Sequence, residues 1–66
     1  MSDIDALKLE VKRLSARAMQ LKMDLHDLSE ELPQNWRVLP ELARRTHDAF
    51  CELDRQRAEL KRLESS

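Results

Sequence analysis

Apolar residues recur along the first half of the chain at alternating spacings of three and four: Ile4, Leu7, Val11, Leu14, Ala18, Leu21, Leu25, Leu28 and Leu32. At 3.6 residues per turn they fall on one stripe of a single long helix, as the a and d positions of an unbroken heptad. A second, weaker stripe runs through Leu39, Leu42, Thr46, Ala49, Leu53, Gln56, Leu60 and Leu63, widened by Ala43 and Phe50. Thr46 and Gln56 make polar layers in it and Ala49 a thin one, which costs stability and helps to fix register and oligomeric state.

The interval between the stripes holds both prolines and the single tryptophan. Pro33 ends the incoming helix because its ring clashes with the preceding turn. Pro40 suits the first turn of the next helix, where its missing N–H has no partner, and Glu41 beside it suits the positive end of the helix dipole. The pattern predicts an all-α, antiparallel two-helix hairpin of the helical coiled-coil type. Its single domain spans 1–66, with helices over 3–31 and 40–64 and a connector over 32–39. Ser2 or Asp3 is the expected N-cap, Ser65 and Ser66 are expected to fray, and Leu21 is expected in the core. Trp36 is expected to lid the end of the core in preference to projecting as an interface anchor, because an exposed Trp is costly unless a partner covers it.

Composition points the same way. There is no glycine or tyrosine, only one phenylalanine, and 38% of residues are charged; strands and hairpin turns call on residue types that this chain lacks. At 66 residues it buries little surface alone, and no disulfide framework or zinc-type cluster braces it. Self-association or a partner protein is therefore expected, the free chain forming a homodimeric four-helix bundle.

The net charge of -1 gives no electrostatic case for nucleic acid or an anionic membrane. Local charge is uneven: Lys8, Lys12, Arg13, Arg17 and Lys22 lie in the first 23 residues, whereas 24–31 holds Asp24, Asp27, Glu30 and Glu31 with no Lys or Arg. A lone Cys51 excludes an internal disulfide and fits a reducing, cytoplasmic setting. The acidic start lacks the apolar segment of a signal peptide, and no apolar run of about 18 residues exists to cross a bilayer.

A second apolar set lies off the first stripe, at b and f positions: Leu9, Ala16, Met19 and Met23, continued by His26. A lone hairpin turns this face to water, yet unbranched Met adapts well to irregular partner surfaces. The candidate partner-binding residues are Ala16, Arg17, Met19, Lys22, Met23, His26, Asp27 and Trp36. Flexible Met fills pockets, Trp anchors, and the flanking charges set orientation. Glu30 and Glu31 oppose the dipole at the C-terminal end of their helix and suggest a basic partner. The ion-rich side of the second helix, from Arg44 to Arg62, reads as a solvated face.

Chemistry finds little foothold. His47 and Cys51 are i,i+4, and the hairpin brings the neighbourhood of His26 toward that of His47, with Asp24, Asp27 and Asp48 nearby. No repeated Cys/His pattern supports a metal site, so neither metal nor cofactor is expected. A two-helix scaffold encloses no pocket that excludes water, and no phosphate loop or nucleophile constellation is present; an enzyme is not expected.

The run Leu14-Ser15-Ala16-Arg17-Ala18-Met19-Gln20, then Lys22-Met23-Asp24-Leu25-His26-Asp27-Leu28, then Leu32-Pro33 and Trp36, resembles a family of small Rop-like proteins encoded among nitrogen-fixation genes. That family, long a domain of unknown function, includes the nitrogenase-associated factor designated T. The likeness covers nearly the whole chain; its most specific parts are the Met/His/Asp-rich half of the first helix and the Leu-Pro-x-x-Trp connector. It implies a hairpin able to form a four-helix dimer and a non-catalytic role serving nitrogenase, through the molybdenum-iron protein, in its assembly, maintenance or protection. The alternative is a Rop-type homodimeric RNA-binding regulator using Lys8, Lys12, Arg13, Arg17 and Lys22. No aromatic residues interleave with that patch, which weighs against nucleic acid.

Overall fold

The computed structural model describes residues 3–65. Two long helices, α1 (Asp3–Glu31) and α2 (Leu39–Ser65), pack antiparallel, joined by a turn and a 3-10 segment over Trp36–Val38. No strand is present among the described residues. The hairpin is a rod of 49 × 15 × 13 Å, as a 29-residue helix rising about 1.5 Å per residue requires. Neither helix is long and apolar enough to cross a membrane.

The heptad stripes meet along the seam. Leu14, Ala18, Ala49 and Leu53 form the buried centre, with Val11 and Leu21 packed partly buried against it, and Leu28 is buried nearer the turn. Two alanines face this centre, 0% and 9% exposed, and so bring the backbones together between flanking leucines. Leu21 is half-buried, not fully in the core as the sequence suggested. Ile4, Leu7, Val11 and Leu25 on α1, like Leu39, Leu42, Leu60 and Leu63 on α2, are likewise only half-buried. The stripes are wider than one partner helix can cover.

The polar layers close on themselves. Thr46 Oγ1 donates to the Leu42 carbonyl at 2.8 Å, and Gln56 Nε2 donates to Glu52 Oε1 at 2.9 Å. Each is satisfied within its own helix.

At the N-terminal end of α1, far from the bend, Asp3 is already helical as the first residue, with Asp5 beside it in the first turn; the alternative cap, Ser2, lies outside the described residues. α1 stops at Glu31, whose carbonyl accepts the Gln34 N–H at 2.9 Å; the Leu32–Pro33 peptide is cis. Asn35 then takes a left-handed conformation, φ 62° and ψ 21°, which Asn tolerates better than other non-glycine residues. Its carbonyl accepts the Val38 N–H at 3.2 Å, and the 3-10 turn runs straight into α2. The connector is therefore 32–38, because Leu39 is already helical ahead of Pro40. Leu32, assigned to the stripe by its spacing, lies beyond the end of α1 and is 39% exposed. Helix α2 continues through Ser65, which was expected to fray; Ser66 lies outside the described residues. Replacing Asn35 by Ala is expected to cost about 1 kcal/mol and by Gly almost nothing, since only the former pays the left-handed Cβ penalty. Urea-denaturation midpoints of the two variants check this; equal losses would place the constraint elsewhere.

Candidate functional site

The candidate site lies on the outside of α1, because heptad positions b and f point away from α2 once a and d face it. Met19 and Met23 are 48% and 61% exposed and Leu9 is 70% exposed, with Ala16 exposed between them. Apolar side chains thus project from four sites spread over two heptads of one helix. Lys22, Asp27 and His26 are exposed on the same helix.

Arg17 sits apart from this face. It lines a shallow depression on one side of the seam with Leu14, Ala49, Arg45, Asp48 and Glu52. The structure therefore does not gather all the expected partner-binding residues on one surface: Ala16, Met19, Met23 and His26 share a face, and Arg17 flanks it.

Trp36 differs from expectation. It is 58% exposed and does not lid the core; the Arg37 guanidinium stacks over its ring at 5.3 Å from the centroid. The cause is the left-handed Asn35 and the 3-10 turn that follows, which start a new helical direction at Trp36 and leave its indole outside the seam. A cation over the ring offsets part of the exposure of an aromatic face. Val38, 54% exposed, and Leu32 join Trp36 in making the turn an apolar tip. Sequence reasoning missed these two: Leu32 looked like a stripe residue, and nothing marked Val38.

The acidic end of α1 makes its contacts locally. His26 Nε2 lies 3.5 Å from Glu30 Oε1 and its Nδ1 lies 3.7 Å from Asp27 Oδ1. Ser29 Oγ donates to the His26 carbonyl at 2.7 Å, and Asn35 Nδ2 donates to Glu31 Oε1 at 3.5 Å. Asp24 accepts from Gln20 Nε2 at 3.0 Å. These contacts give Glu30 and Glu31 neighbours within the chain, at a helix end with no basic residue in its last turn.

His47 pairs with its neighbour Asp48 at 3.2 Å, and Cys51 is an exposed free thiol. Each histidine therefore finds its carboxylates on its own helix. Among the described residues no group of three or more His, Cys, Asp or Glu side chains is arranged to hold a metal ion.

Lys8 and Arg13, among the basic residues of α1, are engaged with carboxylates. Lys8 Nζ bridges to Glu64 on α2 at 3.7 Å. Arg13 Nε donates to Glu10 at 3.1 Å, a hydrogen bond that holds the Glu10 carboxyl below its ordinary range, aided by the guanidinium charge and opposed by desolvation. The same arrangement of Arg62 and Glu59 on α2 lowers Glu59. Both are single-helix pairs at i,i+3 on the solvated surface, where water screens the charges.

Comparison with known proteins follows the hairpin's whole length. A family model described as Rop-like matches residues 2–65. A protein of Azorhizobium caulinodans described as a UPF0437 protein is 51% identical over 65 residues, 98% of this chain and 94% of that protein. A UPF0437 protein of Trichormus variabilis is 46% identical over 63 residues, 96% of this chain and 73% of that protein. In Frankia alni, a relative described as a UPF0437 protein in the nifX-nifW intergenic region is 45% identical over 51 residues, 77% of this chain and 62% of that protein. No solved structure matches the chain significantly.

Proposed function

We propose that this chain, which belongs to the Rop-like family, is a non-catalytic accessory protein of nitrogen fixation that binds a nitrogenase component through the outer face of α1. The molybdenum-iron protein is the component we assign, and assistance in its assembly, maintenance or protection is the role. The observation that carries the binding face is the exposure of Met19 and Met23, 48% and 61%, on an otherwise well-patterned helix. A hairpin needing only stability would place charged residues there, as it does at most outward positions of α2. Met supplies a surface that repacks against an irregular partner, and Trp36 at the tip supplies a large anchor.

The nitrogen-fixation setting is supported by the Frankia relative, whose description places it between nifX and nifW. The test is co-purification of the full chain with the molybdenum-iron protein, resting and in turnover. Specific capture supports the reading, and failure to bind any nitrogenase component removes it. The RNA-binding reading has less behind it, since Lys8 and Arg13 are already engaged with carboxylates of the chain, which weakens a phosphate-binding row.

A further inference from the structure

Atoms able to bind a soft metal fall in one line on the outer face of α1. Met19, Met23 and His26 follow one another at spacings of four and three. At 3.6 residues per turn these spacings keep all three within about 60° of arc, with Met23 between the other two along the axis. Cβ atoms three or four positions apart on a helix lie about 5 to 6 Å from one another, a gap that a flexible thioether and an imidazole span when both turn to a common ion. All three side chains are exposed, Met19 and Met23 at 48% and 61%, so none is committed to the seam with α2. Zinc-type Cys/His patterns do not count thioethers, and a line of two methionines and a histidine falls outside them.

We propose that Met19, Met23 and His26 bind copper(I), with Met23 and His26 as the closest pair and Met19 as the third ligand. The donor set selects the ion. Thioether sulfur is soft and uncharged and suits copper(I), as imidazole suits copper. Magnesium and calcium require oxygen ligands, and structural zinc requires four donors drawn from thiolate, imidazole and carboxylate; this line offers neither set. Copper(I) accepts low coordination, so three donors from one helix face suffice.

The surroundings of His26 agree with this role. Its Nε2 lies 3.5 Å from Glu30 Oε1, one turn further along the same face. With Nε2–H donating to that carboxylate, Nδ1 is the nitrogen left to take the metal, and a carboxylate on the far nitrogen is the partner that orients a metal-bound imidazole and raises its basicity. Asp27 Oδ1, 3.7 Å from Nδ1, and Glu30 supply the negative charge that the neutral thioethers lack. The single thiol, Cys51, is exposed at an f position of α2, on the opposite side of the hairpin, and so does not join the site. The proposal stands apart from the docking of a nitrogenase component, because the free chain binds the ion without a partner protein.

The experiment titrates copper(I) alone, kept reduced by ascorbate in the absence of oxygen, into the full chain carrying Cys51→Ser, so that the thiol does not compete. Methionine methyl and histidine ring NMR signals, assigned from single variants, report the ligands. One equivalent of copper(I) should shift the Met19 and Met23 methyl signals and the His26 ring together and leave His47 in place. Zinc(II) added in the same way should leave the methionine methyls unmoved. Met23→Leu and His26→Asn should each weaken binding about tenfold or more, the scale on which even the outer partners of a metal site act; Met19→Leu should weaken it less. All three positions are exposed, so circular dichroism should show the helices intact in each variant. No saturable binding up to about 100 µM copper(I), methyl signals that ignore the ion, or an affinity unchanged in both Met23→Leu and His26→Asn would overturn the proposal.

Discussion

Leu53→Ala is expected to lower the stability of this hairpin by about 2 to 5 kcal/mol, the range seen when a large aliphatic side chain is cut back in a packed core. Leu53 is 3% exposed and sits in the central cluster with Leu14, Ala18 and Ala49. The two alanines cannot expand into the space it leaves, so the lost contacts go uncompensated. A small domain has roughly 5 to 15 kcal/mol in all, and a two-helix chain of this length lies toward the bottom of that scale. The variant should therefore be largely unfolded at room temperature and micromolar concentration. Urea titration followed by circular dichroism at 222 nm checks this, with Leu21→Ala beside it. Leu21 is only half-buried, so its loss should cost clearly less; an equal or larger cost at Leu21 would show that the centre of packing lies elsewhere.

The contrast between these leucines shows what the heptad pattern could say. Spacing put both on the seam, and the structure agrees, but spacing does not tell a buried a or d position from one at the edge of a two-helix layer. That depends on how many helices cover the stripe. Pro33 and Pro40 bracketed the bend well because their covalent rings forbid helix on one side and favour it on the other. What happens between them was not legible. Trp36 was expected to fold over the core on the ground that exposure is costly, yet its position follows from the left-handed Asn35 and the 3-10 turn, and Arg37 lies over the ring instead. The exposed Met face was legible, since any long helix with an a/d stripe turned inward must turn b and f outward. The place of Arg17 was not, because sequence neighbourhood linked it to Met19 while its g position put it beside Arg45 and Glu52. Thr46 and Gln56, read from the spacing as polar layers, bond within α2, a pairing that heptad position does not specify.

The face of α1 can be tested apart from the hairpin that carries it. Met19→Asp combined with Met23→Asp is expected to abolish co-purification with the molybdenum-iron protein while leaving the helical circular dichroism signal in place, and Trp36→Ala is expected to weaken capture on its own. Retained structure follows from position: Met19, Met23 and Trp36 are 48%, 61% and 58% exposed and none belongs to the buried cluster, so carboxylates there stay solvated. In the second half of α1, where Asp24, Asp27, Glu30 and Glu31 already gather, two more acidic groups cost the helix only a few tenths of a kcal/mol each. Lost binding follows from what an interface centre requires. A carboxylate forced into an apolar pocket is left without a partner, a change that costs about 3 to 5 kcal/mol when the charge is fully buried, and a Trp anchor removed from an interface commonly costs 2 kcal/mol or more. The double variant should then bind several-hundredfold more weakly, below detection in a pull-down. Undiminished capture by a folded double variant would move the docking surface off the Met face. Loss with Trp36→Ala alone would place the contact at the tip of the hairpin, where Leu32 and Val38 are exposed beside it.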